Sequence, residues 1–237
     1  MGTAPFFDFF LTLLETVLIS SYRRTTDMTQ AGTGKKPGNK PKSRTPPRID
    51  RDYLYYAGIK YLERYTASRE QFRDVLYRKI MRSCRYHTDQ DEAACRAQAD
   101  ELVEEFTNAG YLDDNRYTQA MVASYRRKGE SRNKIRQRLM SKGVEPDLIA
   151  AALERYDDVL AENAESDEDT KSDSAELCAA LRYVQRKRLG PFATRSQATV
   201  EQRHYGRLAR AGFSYRIANQ ALNMEEDEAR DWLQAFD

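Results

Sequence analysis

The sequence predicts an all-α protein of about three tandem three-helix repeats in an elongated array. Three observations lead there. From Asp50 onward the apolar residues follow helical spacing, and no convincing period-two alternation marks a strand. The chain also resembles itself: shifted by 63 positions, Ala57, Arg64, Ser68, Arg69, Arg73 and Leu76 fall on Ala120, Arg127, Ser131, Arg132, Arg136 and Leu139. Finally, glycine followed by an apolar residue recurs at expected helix ends, as Gly110-Tyr111, Gly143-Val144 and Gly212-Phe213.

Residues 1–49 read as an extension. The run FFDFFLTLLETVLI (6–19) is short for a membrane span and carries Asp8 and Glu15, and a signal peptide fits it poorly. It is either an amphipathic anchor or lies upstream of a true start at Met28. The second reading is preferred, so no stable membrane association is expected. Between Lys35 and Arg48 there are six basic residues, no acids and four prolines, a composition that predicts a disordered basic arm.

Residues 50–110 form the first repeat, where Tyr53, Tyr55, Tyr56, Tyr61 and Tyr65 cluster and packing between helices is the expected use. Residues 111–160 form the second. Its first helix is expected over 115–128 with Asp114 as N-cap, and Ser131 caps the next, where Ile135 and Leu139 share a face. Gly143 supplies a left-handed ending, and Pro146 with Asp147 opens the third helix.

Residues 161–176 hold seven acids and one lysine and read as a flexible acidic linker, the alternative being an acidic decoy for the protein's own basic arm. Residues 177–237 form the third repeat, offset from the second by 60 around Ala180 and by 69 around Leu208. An insertion near Gly190-Pro191 accounts for the difference.

Of 237 residues, 40% are hydrophobic and 32% charged, enough for a thin core over a large surface and not for a deep catalytic cavity. Thirty-nine basic residues against 37 acidic ones give a net charge of +2, so only the distribution of charge can speak about partners. Cys84, Cys95 and Cys178 have no zinc spacing and read as free thiols in a reducing compartment. Cys84 and His87 have only the distant His204 as company, so no metal site is expected. Walker, GxSxG, HExxH and GxGxxG patterns do not occur, and Asp113-Asp114 follows a helix-ending glycine as a cap would. The chain reads as a binding protein with no catalytic residues and no cofactor.

The candidate contact residues are basic. Arg126, Arg127, Lys128, Arg132, Lys134, Arg136 and Arg138 crowd into the second repeat against Glu130 alone. Arg132/Arg136 and Lys134/Arg138 are like-charge pairs four apart, each costing a few tenths of a kcal/mol unless an anion relieves it. Arg186, Lys187 and Arg188 open a matching run in the third repeat. Together they predict a basic stripe suited to phosphate or to an acidic protein surface.

The segments AGIKYLERYTASREQFRDVL (57–76), AGYLDDNRY (109–117), RRKGESRNKIRQRLMSKGV (126–144) and RAGFSYRIANQAL (210–222) resemble the RecX recombination regulators, in the family's order, over residues 50–225. The first repeat departs from that pattern: SCRYHTDQDEAACR (83–96) replaces the Lys-Gly ending after its second helix. The resemblance implies a bacterial cytoplasmic protein that lies in the groove of the RecA recombinase filament on DNA. There it would restrain growth or ATP turnover, and so damp strand exchange and the SOS response. The alternative is a helical-repeat protein that contacts single- or double-stranded DNA directly.

Overall fold

Local sequence sets the helix starts. In the computed structural model, which describes residues 45–163, 171–193 and 201–235, side-chain oxygens of Asp50, Ser68, Asp91, Asp113, Ser131 and Ser214 each accept from a backbone N–H in the first turn of the helix that follows. The helices so opened, with their neighbours, make an all-helical protein of ten α-helices among the described residues. The apolar stretch 6–19, most of the basic arm, residues 164–170 and Arg195 lie outside the described residues.

The first repeat comprises α1 (Arg51–Leu62), α2 (Arg69–Cys84) and α3 (Glu92–Asn108). Leu54, Phe72, Leu76, Ile80, Leu102 and Phe106 fill its centre. Gly58 belongs to this packing, because a Cβ there would sit 2.8 Å from the Phe72 ring and 2.9 Å from that of Phe106. The departure at 83–96 proves to be a dock for the chain that precedes α1. Ser83 donates to the Pro47 carbonyl at 2.7 Å, Gln90 exchanges two hydrogen bonds with the Ile49 backbone, and Arg48 pairs with Asp89 at 2.6 Å. The basic arm is therefore fixed from Pro46 to Ile49, and Ile49 is buried.

The second repeat comprises α4 (Asp114–Arg127), α5 (Arg132–Met140) and α6 (Pro146–Asn163) around Val122, Ile135, Leu139, Ile149 and Leu153. The N-cap of α4 is Asp113, one residue earlier than expected. Its carboxylate accepts from the Arg116 N–H at 2.9 Å, while Asp114 turns to the first repeat and accepts from the Arg69 N–H at 2.8 Å. Gly143 has φ +71°, and the Gly143 and Val144 amides bond back to the Met140 and Leu139 carbonyls, closing the turn after α5.

The third repeat comprises α7 (Lys171–Lys187), a short 3₁₀ turn (Gly190–Phe192), α8 (Glu201–Arg210) and α9 (Tyr215–Asn223), and it carries a fourth helix, α10 (Glu226–Ala235). Ala229 and Leu233 of α10 pack into the core built on Leu181, Val184, Leu208, Phe213 and Ile217. Helix also enters the acidic stretch from both sides, since α6 runs to Asn163 and α7 begins at Lys171.

Two joints of one design connect the repeats. The capping Ser68 of α2 donates its hydroxyl to the carbonyl of Lys142, just before Gly143. Sixty-three residues later Ser131, the cap of α5, donates at 2.6 Å to the carbonyl of Ala211, just before Gly212. Both glycines have positive φ and no room for a Cβ: one at Gly143 would collide with the Glu70 side chain, and one at Gly212 would lie 2.6 Å from the Ser131 hydroxyl. One residue thus caps its own helix and grips the glycine turn of the next repeat.

Candidate functional site

The basic run of the second repeat does not face one way. Successive helical residues turn by about 100°, so the three consecutive cations at the end of α4 cannot share one face. Arg126 points inward and is 2% exposed. Its guanidinium donates to both carboxylate oxygens of Asp157, at 2.9 and 2.8 Å, and to Glu176 at 2.6 Å. Glu176 also accepts from the Arg132 backbone N–H at 3.2 Å, and the Arg132 side chain lies 3.6 Å from Asp157. Burial pushes the Asp157 carboxyl above its ordinary range, with Arg126 pulling the other way. Burial likewise opposes the charge on Arg126, but the two carboxylates outweigh it and raise the guanidinium further. Arg126 is therefore a joint between the second and third repeats, and its charge is spent inside the protein.

The like-charge pairs on α5 are relieved internally as well. Arg138 pairs with Glu130 at 3.1 Å and lies over the Tyr125 ring at 5.2 Å, while Arg132 is turned to Asp157. That leaves Lys134 and Arg136 with no carboxylate partner among the described residues, Arg136 exposed and Lys134 half-buried. Lys187 and Arg188 are exposed at the end of α7.

Three of the expected contact residues do come together. Arg127 and Lys128, at the end of α4, face Arg186 of α7 across the second joint, and Arg186 donates to the Lys128 backbone carbonyl. Arg182 and Gln185 of α7 and Arg230, Leu233 and Gln234 of α10 complete a pocket of about 470 Å³. Among the described residues five cations line it and no carboxylate does. Arg230 pairs with Glu226 one turn away at 2.5 Å, an exposed pair. The repeat pattern gave no pointer to Arg230, because it stops short of α10.

Among the described residues no three His, Cys, Asp or Glu side chains come together as metal ligands. Cys84, Cys95 and Cys178 form no disulfide among the described residues, and the ring of His204 accepts a hydrogen bond from the Gly190 N–H at 3.3 Å. No helix among the described residues is long and apolar enough to cross a membrane.

Comparison with known proteins agrees with this architecture. The family model for the second three-helix domain of RecX matches residues 113–153, which open on the Asp113 cap and run into α6. A regulatory protein RecX of Myxococcus xanthus is 34% identical over 200 residues, covering 83% of this chain and 97% of the relative. Another, from Agrobacterium fabrum, is 25% identical over 173 residues, 73% of this chain and 83% of its own. A third, from Bacillus pumilus, is 30% identical over 130 residues, 54% of this chain and 43% of its own. No solved structure matches significantly.

Proposed function

Because this chain belongs to the RecX family of regulatory proteins, we propose that it acts without catalysis, by binding the RecA filament on DNA in the cytoplasm and restraining recombination, ATP turnover and SOS induction. The observation that carries the reading is the basic surface of the second and third repeats, with Lys134 and Arg136 on α5 and the five-cation pocket at the joint. A regulator that works by occupying a nucleoprotein polymer needs opposite charge and an extended contact, not an activated nucleophile. Stacked repeats supply that contact, each adding a similar helical face.

The test is binding to preformed RecA–single-strand filaments beside RecA alone and DNA alone, with ATP hydrolysis followed in parallel. Inhibition is expected at concentrations too low to coat the DNA. Replacing Lys134 and Arg136 by Glu is expected to weaken it strongly at low salt while helicity and Tm barely move, since neither residue has a carboxylate partner among the described residues. Inhibition only at DNA-coating concentrations would favour the second reading, a protein that competes for DNA directly, which the pocket also supports.

A further inference from the structure

We propose that the pocket between α4, α7 and α10 is a phosphodiester site that seats the sugar–phosphate backbone of nucleic acid. This deepens the reading above and rests on it for the setting in which the site works.

Charge in the pocket is of one sign. Arg127, Lys128, Arg182, Arg186 and Arg230 line one concavity of about 470 Å³ with no carboxylate among the described lining residues. Cations at the ends of α4 and α7 are each favoured by the helix dipole. That effect explains each of them singly. It does not explain why the two helix ends face each other across the joint, nor why Arg230, in the middle of α10, joins them. Gathering like charges costs free energy that a bound polyanion returns.

The lining chemistry suits phosphate. Four of the five cations are arginines, whose planar forks match pairs of phosphate oxygens, and Gln185 and Gln234 add neutral hydrogen-bond donors. Leu233 is the only apolar residue among the described lining residues. Protein–protein contacts depend on a desolvated apolar centre, which this pocket lacks, whereas a phosphate backbone is held by charge and donors alone. The ion pair of Arg230 with Glu226 is no obstacle, because both side chains are about half exposed or more and such pairs hold weakly.

The pocket straddles the second joint. The cations come from both repeats and from the terminal helix, so the site exists only while the second joint is closed. The buried pairing of Arg126 with Asp157 and Glu176, one residue before Arg127, closes it.

The experiment uses the full chain and a fluorescein-labelled oligothymidylate of about 30 nucleotides, titrated over a range of salt. The variant Arg127→Gln/Lys128→Gln/Arg230→Gln is compared with Arg64→Gln/Arg78→Gln/Arg82→Gln, which removes the same charge from the first repeat. The pocket variant is expected to lose about tenfold or more in affinity at low salt. Its slope of log K against log salt should shallow by about 2, at roughly 0.7 per phosphate contact on a single strand. The control should change far less, and circular dichroism and Tm should match for all three proteins. Equal losses in the two variants would overturn the assignment. So would displacement of the oligonucleotide by inorganic phosphate beyond that by chloride of the same ionic strength, which would make this a free-phosphate site. Loss of RecA binding without DNA, with oligonucleotide affinity intact, would make it a protein contact and overturn it equally. RecA ATPase inhibition measured alongside separates the two readings. Pocket-dependent DNA binding without inhibition would sink the regulatory function and leave the site standing; inhibition with DNA affinity indifferent to the pocket would do the reverse.

Discussion

The two joints share a lock and differ in what surrounds it. At the first, the Ser68 hydroxyl on the Lys142 carbonyl is joined by the Asp114 carboxylate on the Arg69 N–H and by the Tyr117 hydroxyl 3.3 Å from Gln71. At the second, the Ser131 hydroxyl on the Ala211 carbonyl is joined by a buried ionic set of Arg126, Asp157 and Glu176, with Arg132 at its edge. A lock that repeats gives cohesion without telling one repeat from another. The ions add the distinction. Shifted back by 63, Arg126 corresponds to Glu63, so a third repeat docked on the first would set Glu176 against a glutamate. Buried ion pairs contribute little net stability against apolar replacements, but a mispaired one is expensive. The second joint therefore spends charge on order, and the pocket beside it depends on that order.

The largest effect expected from breaking this contrast comes from Arg126→Met. It strands Asp157, 3% exposed, and Glu176, 13% exposed, without their shared cation, and should cost about 3–5 kcal/mol in urea unfolding. Replacing Asp157 by Leu and Glu176 by Met in the same chain should recover most of the loss, because no uncompensated charge then remains. A cost below about 1 kcal/mol for Arg126→Met alone would mean that the ionic set does not hold the joint.

A smaller effect, equal at the two joints, should follow from removing the lock. Ser68 and Ser131 are both fully buried, and each caps a helix while donating to a carbonyl of the next repeat. Ser68→Ala and Ser131→Ala should each cost about 1–2 kcal/mol, a lost N-cap with an orphaned carbonyl added. Thermal unfolding of the two variants checks the equality. A much larger loss at Ser131 would show that the ionic set leans on the serine, and the joints would then differ in design as well as in surroundings.

The parts of the lock were visible in the sequence; the bond that closes it and the ions were not. Ser68 and Ser131 fall on each other at the 63-residue shift, and Gly143 and Gly212 at the 69-residue shift, because one cap and one left-handed turn each demand a particular residue type. A run such as Arg126-Arg127-Lys128 carries no mark of which member turns inward. That depends on acids 31 and 50 residues away. One of them, Glu176, sat in a stretch whose composition reads as a linker, although α7 begins before it. The Asp113-Asp114 pair shows the same limit at one residue's distance. Either aspartate can cap α4, and the choice of Asp113 frees Asp114 to bind the Arg69 N–H of the neighbouring repeat. The helix α10 escaped because the repeat pattern ends before it and its first three residues are all acidic, with Ala229 and Leu233 as its buried residues.

The smallest effect sharpens the comparison from the neutral side. Tyr117 is 8% exposed at the first joint, and burial, with smaller contributions from Tyr125, Tyr61 and Asp114, pushes its phenol up to about 12 from an ordinary 10.0. The folded chain thus holds this proton where the unfolded chain releases it. Its contribution to stability is complete below pH 10 and is lost as pH rises from there toward about 12. Tyr117→Phe removes the group and its linkage, so between pH 9.5 and 11.5 (approximate bounds for the window) the variant's Tm should fall less steeply than the wild type's. The absorbance titration of the folded protein should also lose a late-ionising tyrosine. Tyr55 and Tyr77, both in the first repeat, are raised as well, so the quantity to read is the difference between wild type and variant. Identical alkaline slopes in the two proteins would show that Tyr117 ionises without opening the joint. The Ser68 lock and the Asp114–Arg69 bond would then hold the first joint without it.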